Sequence, residues 1–288
     1  MLRARLLPLA PLLAGATSFA PHAPPQQLEV TLDYAAEHPN QVVELLVPPG
    51  SGELLPVVLW RAGGWGGPPS DVDSGVGAAV AAAANAAGVA LALPGLRESP
   101  TDPFPTPTVD LARAIQYLRS VAPEYGLDPE RIFCLGRSSG GTFAATLAYG
   151  PDIAGWFPGD AYSAHSSRPN GVCLGSAGYS FNALHPDLAA PYFGFSTFGE
   201  LAPELLELAS PGTWLEASTG EPVPTYLIYK GPIGTPPLAN KHDSWHGFQY
   251  WLSLVEHGVE PGVQYFPSGD DGTADYTAVI DFLLAQTE

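Results

Sequence analysis

Hydrophobic runs of strand length alternate along this chain with stretches whose apolar residues recur at helical spacing. Residues 28–34, 42–47, 54–60, 89–93, 131–135, 223–229 and 263–266 have the apolar or alternating pattern of strands. Residues 74–87, 108–122, 141–149, 201–209, 244–257 and 273–286 have the composition and spacing of helices. This alternation predicts an α/β fold with a mostly parallel central sheet, helices on both faces and right-handed crossovers.

One stretch, residues 128–148, holds a predicted strand, a sharp turn and a helix in an unbroken run. Its turn, Gly136-Arg137-Ser138-Ser139-Gly140, fits the pattern G-x-S-x-G. Glycines two residues before and after the serine let a helix pack closely on the strand, so that a strained turn presents the hydroxyl above the sheet. Ser138 is therefore the candidate nucleophile; the alternative is a Gly/Ser-rich turn without catalytic ancestry.

A glycine-rich loop, residues 61–67, directly follows the buried strand 54–60. Such a loop brings backbone N–H groups to about 3 Å from a developing oxyanion, which only closely approaching glycine backbone permits. Gly64 or Trp65 would supply one donor, and Ser139, next to the nucleophile, the other. The alternative interpretation is a flexible loop without a chemical role.

Residues 160–222 are rich in glycine, serine, proline and aromatic rings and predict a cap-like insertion over the sheet. The rings there either line an apolar or sugar-stacking pocket or pack among themselves. Around this insertion, residues 28–288 predict one domain, preceded by a Pro-rich linker at 17–27.

Charge and terminal pattern restrict the partners and the compartment. The formal net charge is −18, which predicts repulsion from nucleic acid and from anionic membrane surfaces. Residues 1–16, or up to 20, combine Arg3 and Arg5 with an apolar run and Ala14-Gly15-Ala16, a pattern typical of a signal peptide for a secreted or periplasmic protein. No other apolar run is long enough for a membrane span.

The cysteines and the remaining motifs add little. Cys134 and Cys173 fit one disulfide or two buried thiols equally well, and their spacing is not that of metal ligands. Neither a metal-ligand cluster nor a nucleotide fingerprint is present, so we expect no cofactor. The sequence makes no prediction of the oligomeric state.

Several linked motifs together resemble a known family. The loop Gly63-Gly64-Trp65, the segment 97–110 with Phe104-Pro105, the segment 128–132 and Gly136-Arg137-Ser138-Ser139-Gly140-Gly141 are similar to bacterial α/β-hydrolases. The most similar group is the acetyl-xylan/feruloyl esterase-like (BD-FAE) branch, beside the hormone-sensitive-lipase-like esterases. The resemblance covers residues 54 to the C-terminus and implies the α/β-hydrolase fold and a small-molecule or glycan ester as substrate.

The same resemblance implies a triad whose two supporting positions this sequence does not fill. In the family the acid follows the strand matching 223–229, and here residues 222–242 contain no Asp or Glu. The family's histidine follows the strand matching 263–266, where Asp270 and Asp271 stand, and no histidine follows His257. Candidates for a relocated base are His242 and His246, with Asp243 between them as acid, and then His165.

Three interpretations follow from these unfilled positions. The first is an active exported ester hydrolase that uses Ser138 with a relocated base. The second is a degenerate hydrolase that binds an ester, a glycan or a partner without turning it over. The third is a cation site at Asp270, Asp271 and Asp275. An imidazole within about 3 Å of the Ser138 hydroxyl would favour the first.

Overall fold

The computed structural model describes residues 28–49, 52–184, 186–194, 202–220, 222–269 and 274–286. Within these residues, eight strands form a single sheet. In chain order they are β1 (Leu28–Asp33), β2 (Val42–Val47), β3 (Leu55–Arg61), β4 (Ala90–Pro94), β5 (Leu127–Arg137), β6 (Gly171–Gly175), β7 (Thr225–Lys230) and β8 (Gly262–Phe266).

In the described part of the chain, eight α-helices connect or follow these strands. They are α1 (Gly75–Ala86), α2 (Thr106–Val121), α3 (Ser139–Tyr149), α4 (Pro186–Ala189), α5 (Pro203–Ala209), α6 (Pro211–Ala217), α7 (Ser244–Glu256) and α8 (Tyr276–Ala285). No helix in these described ranges combines the length and the apolar character that crossing a bilayer requires.

The strands lie in the order β1-β2-β4-β3-β5-β6-β7-β8. β1 and β2 are antiparallel to their neighbours, and every pairing from β4 through β8 is parallel. The carboxyl ends of the parallel strands therefore share one edge, and in open α/β sheets ligands bind outside that edge. The predicted α/β class with a mostly parallel sheet is confirmed.

Two apolar layers cover the faces of the sheet. Because neighbouring side chains on a strand point to opposite faces, Val57 and Leu59 pack in one layer while Val58 and Trp60 pack in the other. The first layer includes residues of α2, α3 and α7, and the second includes residues of α1 and α8. Strands covered on both faces explain the continuous apolar runs of β3 and β4, whose residues are all buried.

The thiols of Cys134 and Cys173 belong to opposite layers, which excludes a bond between them. Both cysteines are free and buried. Burial raises the pKa of the Cys134 thiol to about 12 and shifts that of Cys173 in the same direction. The sequence left a disulfide and two buried thiols open, and the structure has two buried, unreactive thiols.

The segment predicted as a cap contains a strand that the sequence analysis missed. β6 is fully buried between β5 and β7, so this part of the chain supplies the centre of the sheet as well as the residues above it. Some rings of the segment pack on one another and on the glycine-rich loop: Phe181 stacks on Tyr192 at 5.3 Å, and Tyr192 on Trp65 at 4.4 Å between ring centroids. Tyr162 and Tyr179 instead contact rings of α2 and α7. Phe195 and Phe198 lie outside the described residues.

Candidate active site

Ser138 occupies a strained turn between β5 and α3. Its φ of 55° and ψ of −125° place it in a backbone region that non-glycine residues rarely adopt. Its N–H donates to the carbonyl of Gly175, at the end of the neighbouring strand β6, at 2.7 Å. The turn therefore holds the serine at the carboxyl edge of the sheet.

Close backbone packing explains the glycines of the motif. A Cβ on Gly136 would overlap the backbone of Gly140, and a Cβ on Gly140 would overlap the carbonyl oxygen of Arg61. A Cβ on Gly141 would lie 2.9 Å from that of Ala177. The glycines of G-x-S-x-G-G therefore lie where α3 packs closely on the sheet, beside the end of β3 and the residue Ala177 after β6.

An imidazole lies at hydrogen-bond distance from the serine hydroxyl. Nε2 of His242 is 2.7 Å from Oγ of Ser138, and both side chains are partly buried. This distance is inside the limit of about 3 Å that proton transfer from the serine requires. Of the three histidines that the sequence analysis proposed, His242 is the one that the structure brings to Ser138.

The loop between β7 and α7 carries His242 and is held by a hydrogen bond to the segment after β6 and by another within the loop. Leu238 N–H donates to the Ala183 carbonyl at 2.7 Å, and Leu238 itself is buried. The His242 N–H donates to Oδ1 of Asn240 at 3.0 Å. The first contact holds the loop against the described part of the predicted cap, and the second orders the turn directly before His242.

Asp243 closes this loop and starts α7. Its Oδ1 accepts the N–H of Trp245 at 2.9 Å, as an N-cap does, and the N–H of Gly234 at 2.8 Å. Asp243 was proposed as the acid partner of the base; the structure uses its Oδ1 for two backbone donors. Asp270 and Asp271 lie outside the described residues.

His246 and His165 contact other parts of the molecule. His246 is completely buried, and its Nδ1 accepts the N–H of Tyr179 at 3.1 Å, so the ring ties α7 to the segment after β6. Burial lowers the pKa of His246 to about 4, with a smaller opposing effect of Asp243. His165 lies beside Asn170, which precedes β6, at the opposite edge of the sheet from Ser138.

The glycine-rich loop lies against Ser138. A Cβ on Gly63 would be 3.0 Å from that of Ser138, and Oγ of Ser139 donates to the Gly64 carbonyl. Gly64, Gly66 and Gly67 all have positive φ, which explains why glycine recurs here. The structure thus brings Ser138, Ser139 and Gly64 together with His242.

Two features beside the site were missed in the sequence. Arg61, at the end of β3, is buried and donates to the backbone carbonyls of Gly66 and Gly67 in the glycine-rich loop. Ser176, at the end of β6, is buried with a φ of 48°. A charged residue that ends a buried strand directly before a glycine run was the available signal for Arg61; Ser176 had none.

Within the ranges that the structure describes, no three His, Cys, Asp or Glu side chains are grouped as metal ligands would be. Asp275, one member of the proposed cation site, caps α8 by accepting the Ala278 N–H at 3.1 Å. The other two members of that site lie outside the described ranges.

Strand order, strained serine turn and neighbouring glycine loop together define an α/β-hydrolase fold, which confirms the resemblance found in the sequence. Residues 43–167 match the BD-FAE family model, a segment that includes the glycine-rich loop and Ser138 but ends before His242. No curated protein sequence matches the chain.

Solved structures share the fold over most of the chain. An acetyl ester-xyloside bifunctional hydrolase from Caldicellulosiruptor lactoaceticus is 20% identical, with a TM-score of 0.68 over 90% of this chain and 94% of the other. A truncated carbohydrate esterase from gut microbiota is 18% identical, with a TM-score of 0.71 over 91% and 96%. A thermophilic esterase, Est2 from Thermogutta terrifontis, is 18% identical, with a TM-score of 0.63 over 90% and 92%.

Proposed function

We propose that this esterase-like α/β-hydrolase is a serine hydrolase of carboxylic or carbohydrate esters, with Ser138 as nucleophile and His242 as general base. The observation that carries the proposal is the 2.7 Å separation of Ser138 Oγ from His242 Nε2. A serine hydroxyl is a weak nucleophile until a positioned base takes its proton. A serine in a strained turn with an imidazole at this distance has the arrangement that acyl transfer needs.

In the proposed reaction the Ser138 oxygen attacks the ester carbonyl carbon while His242 Nε2 takes the hydroxyl proton. The tetrahedral intermediate collapses to an acyl-serine, and the alcohol leaves with the proton from His242. A water molecule then gives a proton to His242 and attacks the acyl carbon. The bond to the Ser138 oxygen breaks, that oxygen takes the proton back from His242, and the carboxylic acid is released. Atoms and protons balance over the two halves.

Backbone N–H groups of the glycine-rich loop and of Ser139 are the proposed oxyanion donors. The carbonyl of Gly64 accepts from Ser139 Oγ, and in a trans peptide the N–H of the next residue points the opposite way. Trp65 N–H is therefore directed away from Ser139, which favours Gly64 as the donor from this loop. Ser139 N–H, at the first position of α3, has no acceptor within its own helix.

The alternative from the sequence analysis is a descendant that binds without catalysis. It was motivated by the unfilled family positions, and the Ser138–His242 contact supports catalysis instead. The names of the structural neighbours, an acetyl ester-xyloside hydrolase and a carbohydrate esterase, support acylated sugars as the substrate class to test first.

Hydrolysis of p-nitrophenyl acetate and of acetylated xylo-oligosaccharides tests the proposal. Ser138→Ala should lower kcat/KM by about 10⁴-fold or more; incomplete sites retain about 10³ to 10⁴ of acceleration over water, so a comparison with the variant is needed. Equal activity of the wild type and Ser138→Ala would instead support the binding protein.

Export remains part of the proposal and rests on the pattern of residues 1–16, which lie outside the described residues. Expression with an export-competent host and mass measurement of the secreted chain tests it. Cleavage after residue 16 to 20 is the expected result, and an uncleaved chain retained in the cell would contradict it.

A further inference from the structure

Arg61 is a buried cation whose role the ester-hydrolase site does not yet include. It is 3% exposed and ends β3. β3 pairs with β5, the strand that leads directly into Ser138. Burial lowers the pKa of its guanidinium to about 10, so it is still a cation at neutral pH. A buried charge is destabilising unless its donors have acceptors, so the acceptors of this guanidinium indicate its structural role.

Those partners are backbone carbonyls of the glycine-rich loop, of Pro68 directly after it, and of β4. Nη1 lies 2.6 Å from the Pro68 oxygen and 3.3 Å from that of Pro94. The remaining acceptors are the carbonyls of Gly66 and Gly67. The guanidinium therefore occupies the interior of the loop and orients several successive peptide groups.

The contacts make Arg61 hold both ends of the segment 62–65. Its own backbone starts the segment, and its side chain binds the residues that follow it. The outer side of the loop is held separately, since Gly67 exchanges two backbone hydrogen bonds with Leu96 at 2.9 and 2.8 Å. Ser99 N–H also donates to the Trp65 carbonyl at 3.0 Å. The Gly64 carbonyl also accepts from Ser139 Oγ. The guanidinium contacts lie on the residues that directly follow Trp65, between these anchors and β4.

We propose that Arg61 is the positioning residue of the oxyanion loop: its guanidinium fixes the peptide groups that present the Gly64 N–H to the tetrahedral intermediate. The inference rests on the proposed ester hydrolysis. Preorganised donors stabilise the transition state more than the substrate, because the charge on the oxygen develops only during attack. Loss of Arg61 should therefore affect kcat and the binding of transition-state mimics much more than KM.

Arg119 supplies a matched control. It is also a buried arginine, 6% exposed, and its donors likewise bind backbone carbonyls, among them those of Ser166 at 3.0 Å and Arg168 at 2.7 Å. It lies near Asn170, before β6, at the edge of the sheet opposite Ser138. Arg119→Met thus removes a comparable buried network away from the site.

The experiment measures kcat and KM for p-nitrophenyl acetate, the inhibition constant of phenylboronic acid and the thermal midpoint. Phenylboronic acid reports on the oxyanion donors because it binds serine hydrolases as a tetrahedral anionic adduct on the serine oxygen. Arg61→Met should lower kcat about 10²-fold to 10³-fold, the loss typical of one oxyanion donor, and weaken phenylboronic acid in parallel, with KM changed less than about threefold. Arg119→Met should lower the thermal midpoint and keep kcat.

Equal kcat in folded Arg61→Met and Arg119→Met would overturn the inference while leaving the esterase proposal intact. An inactive, folded wild type would instead overturn the proposed function itself. If Arg61→Met does not fold, Arg61→Lys keeps the charge but not the fork of donors, and it should lose about tenfold in kcat with KM retained. Wild-type kcat in Arg61→Lys would then count against the inference.

Discussion

Nε2 of His242 lies 2.7 Å from the hydroxyl oxygen of Ser138, although the two residues follow different strands, β7 and β5, and are 104 positions apart. The family resemblance placed the base after β8. In this chain the imidazole enters from the loop after β7, which is where the family has its acid. The site therefore lies at the expected edge of the sheet, but its histidine comes from the loop after β7 instead of the loop after β8.

Substitution of the two neighbouring histidines should separate the base from the buried ring. His242→Asn should lower kcat by about 10³-fold or more, because general-base assistance to Ser138 is lost. His246→Asn should keep kcat within about threefold, since an amide oxygen can replace Nδ1 as acceptor for Tyr179 N–H. Steady-state hydrolysis of p-nitrophenyl acetate measures both; the reverse order of effects would reassign the base to His246.

The buried His246 should make the fold sensitive to acid. Its pKa is about 4 in the folded protein and about 6.5 when unfolded, so between these values the unfolded chain binds more protons and stability falls as pH falls. The difference corresponds to a loss of about 3 kcal/mol in the free energy of unfolding. This loss is absent above pH 6.5 and complete below pH 4.

Urea unfolding at pH 7 and pH 4.5 measures this effect against His246→Asn, which carries no titrating group at that position. The wild type should lose more free energy of unfolding over this interval than the variant does. Identical losses in the two proteins would show that His246 does not remain neutral in the folded state.

The acid that orients His242 is predicted from strand order. β7 and β8 are paired up to Lys230 and Phe266, and Gly231 N–H donates to the Phe266 carbonyl at 2.9 Å. The chain leaving β8 thus begins beside the loop that carries His242, and its next acids are Asp270 and Asp271, which lie outside the described residues. The family's two positions would then be exchanged, with the base after β7 and the acid after β8.

Three single variants test that exchange. Asp270→Asn or Asp271→Asn should lower kcat by about 10²-fold to 10⁴-fold, as loss of a triad acid does. Asp243→Asn should keep kcat within about threefold, because asparagine retains the N-cap oxygen of α7. A large loss in Asp243→Asn, with both turn variants active, would return the acid to Asp243.

Gly140, where α3 packs against the backbone at the start of the glycine-rich loop, should not tolerate substitution by a larger residue. A Cβ at Gly140 would overlap the Arg61 carbonyl, a backbone atom that cannot rotate away. Gly140→Ala should therefore lower the free energy of unfolding by about 1–3 kcal/mol and also lower kcat. Gly159→Ala is the control, because a Cβ there meets nothing within 4 Å; equal urea midpoints for the two variants would contradict the packing.

Local pattern predicted much of the fold because each strand and helix carries its own apolar period. The bounds of β2 agree with the prediction, those of β3 differ by one residue at each end, and those of α7 differ by one residue at the C-terminal end. β6 was missed because its apolar core is only Val172-Cys173-Leu174 between glycines, too short to stand out in a segment rich in glycine and rings. Its status as a strand comes from the long-range pairing with β5 and β7.

The site was predictable to the extent that it is local. Ser138 directly follows β5, and Gly64 lies in the short loop after β3. The end of each predicted strand therefore indicates where these residues lie. The approach of His242 depends on the path of the whole β7–α7 loop, which Leu238 and Asn240 anchor through contacts with no sequence period. The role of Arg61 was equally hidden, since its acceptors are backbone carbonyls that any sequence would supply.

The rate of labelling by a fluorophosphonate probe tests most directly whether His242 activates Ser138. The probe forms a covalent bond only with an activated serine oxygen. Folded wild type should label stoichiometrically, Ser138→Ala should not label, and His242→Asn should label at least about 10²-fold more slowly. Folded wild type that remains unlabelled, or that labels at the same rate as His242→Asn, would contradict the account.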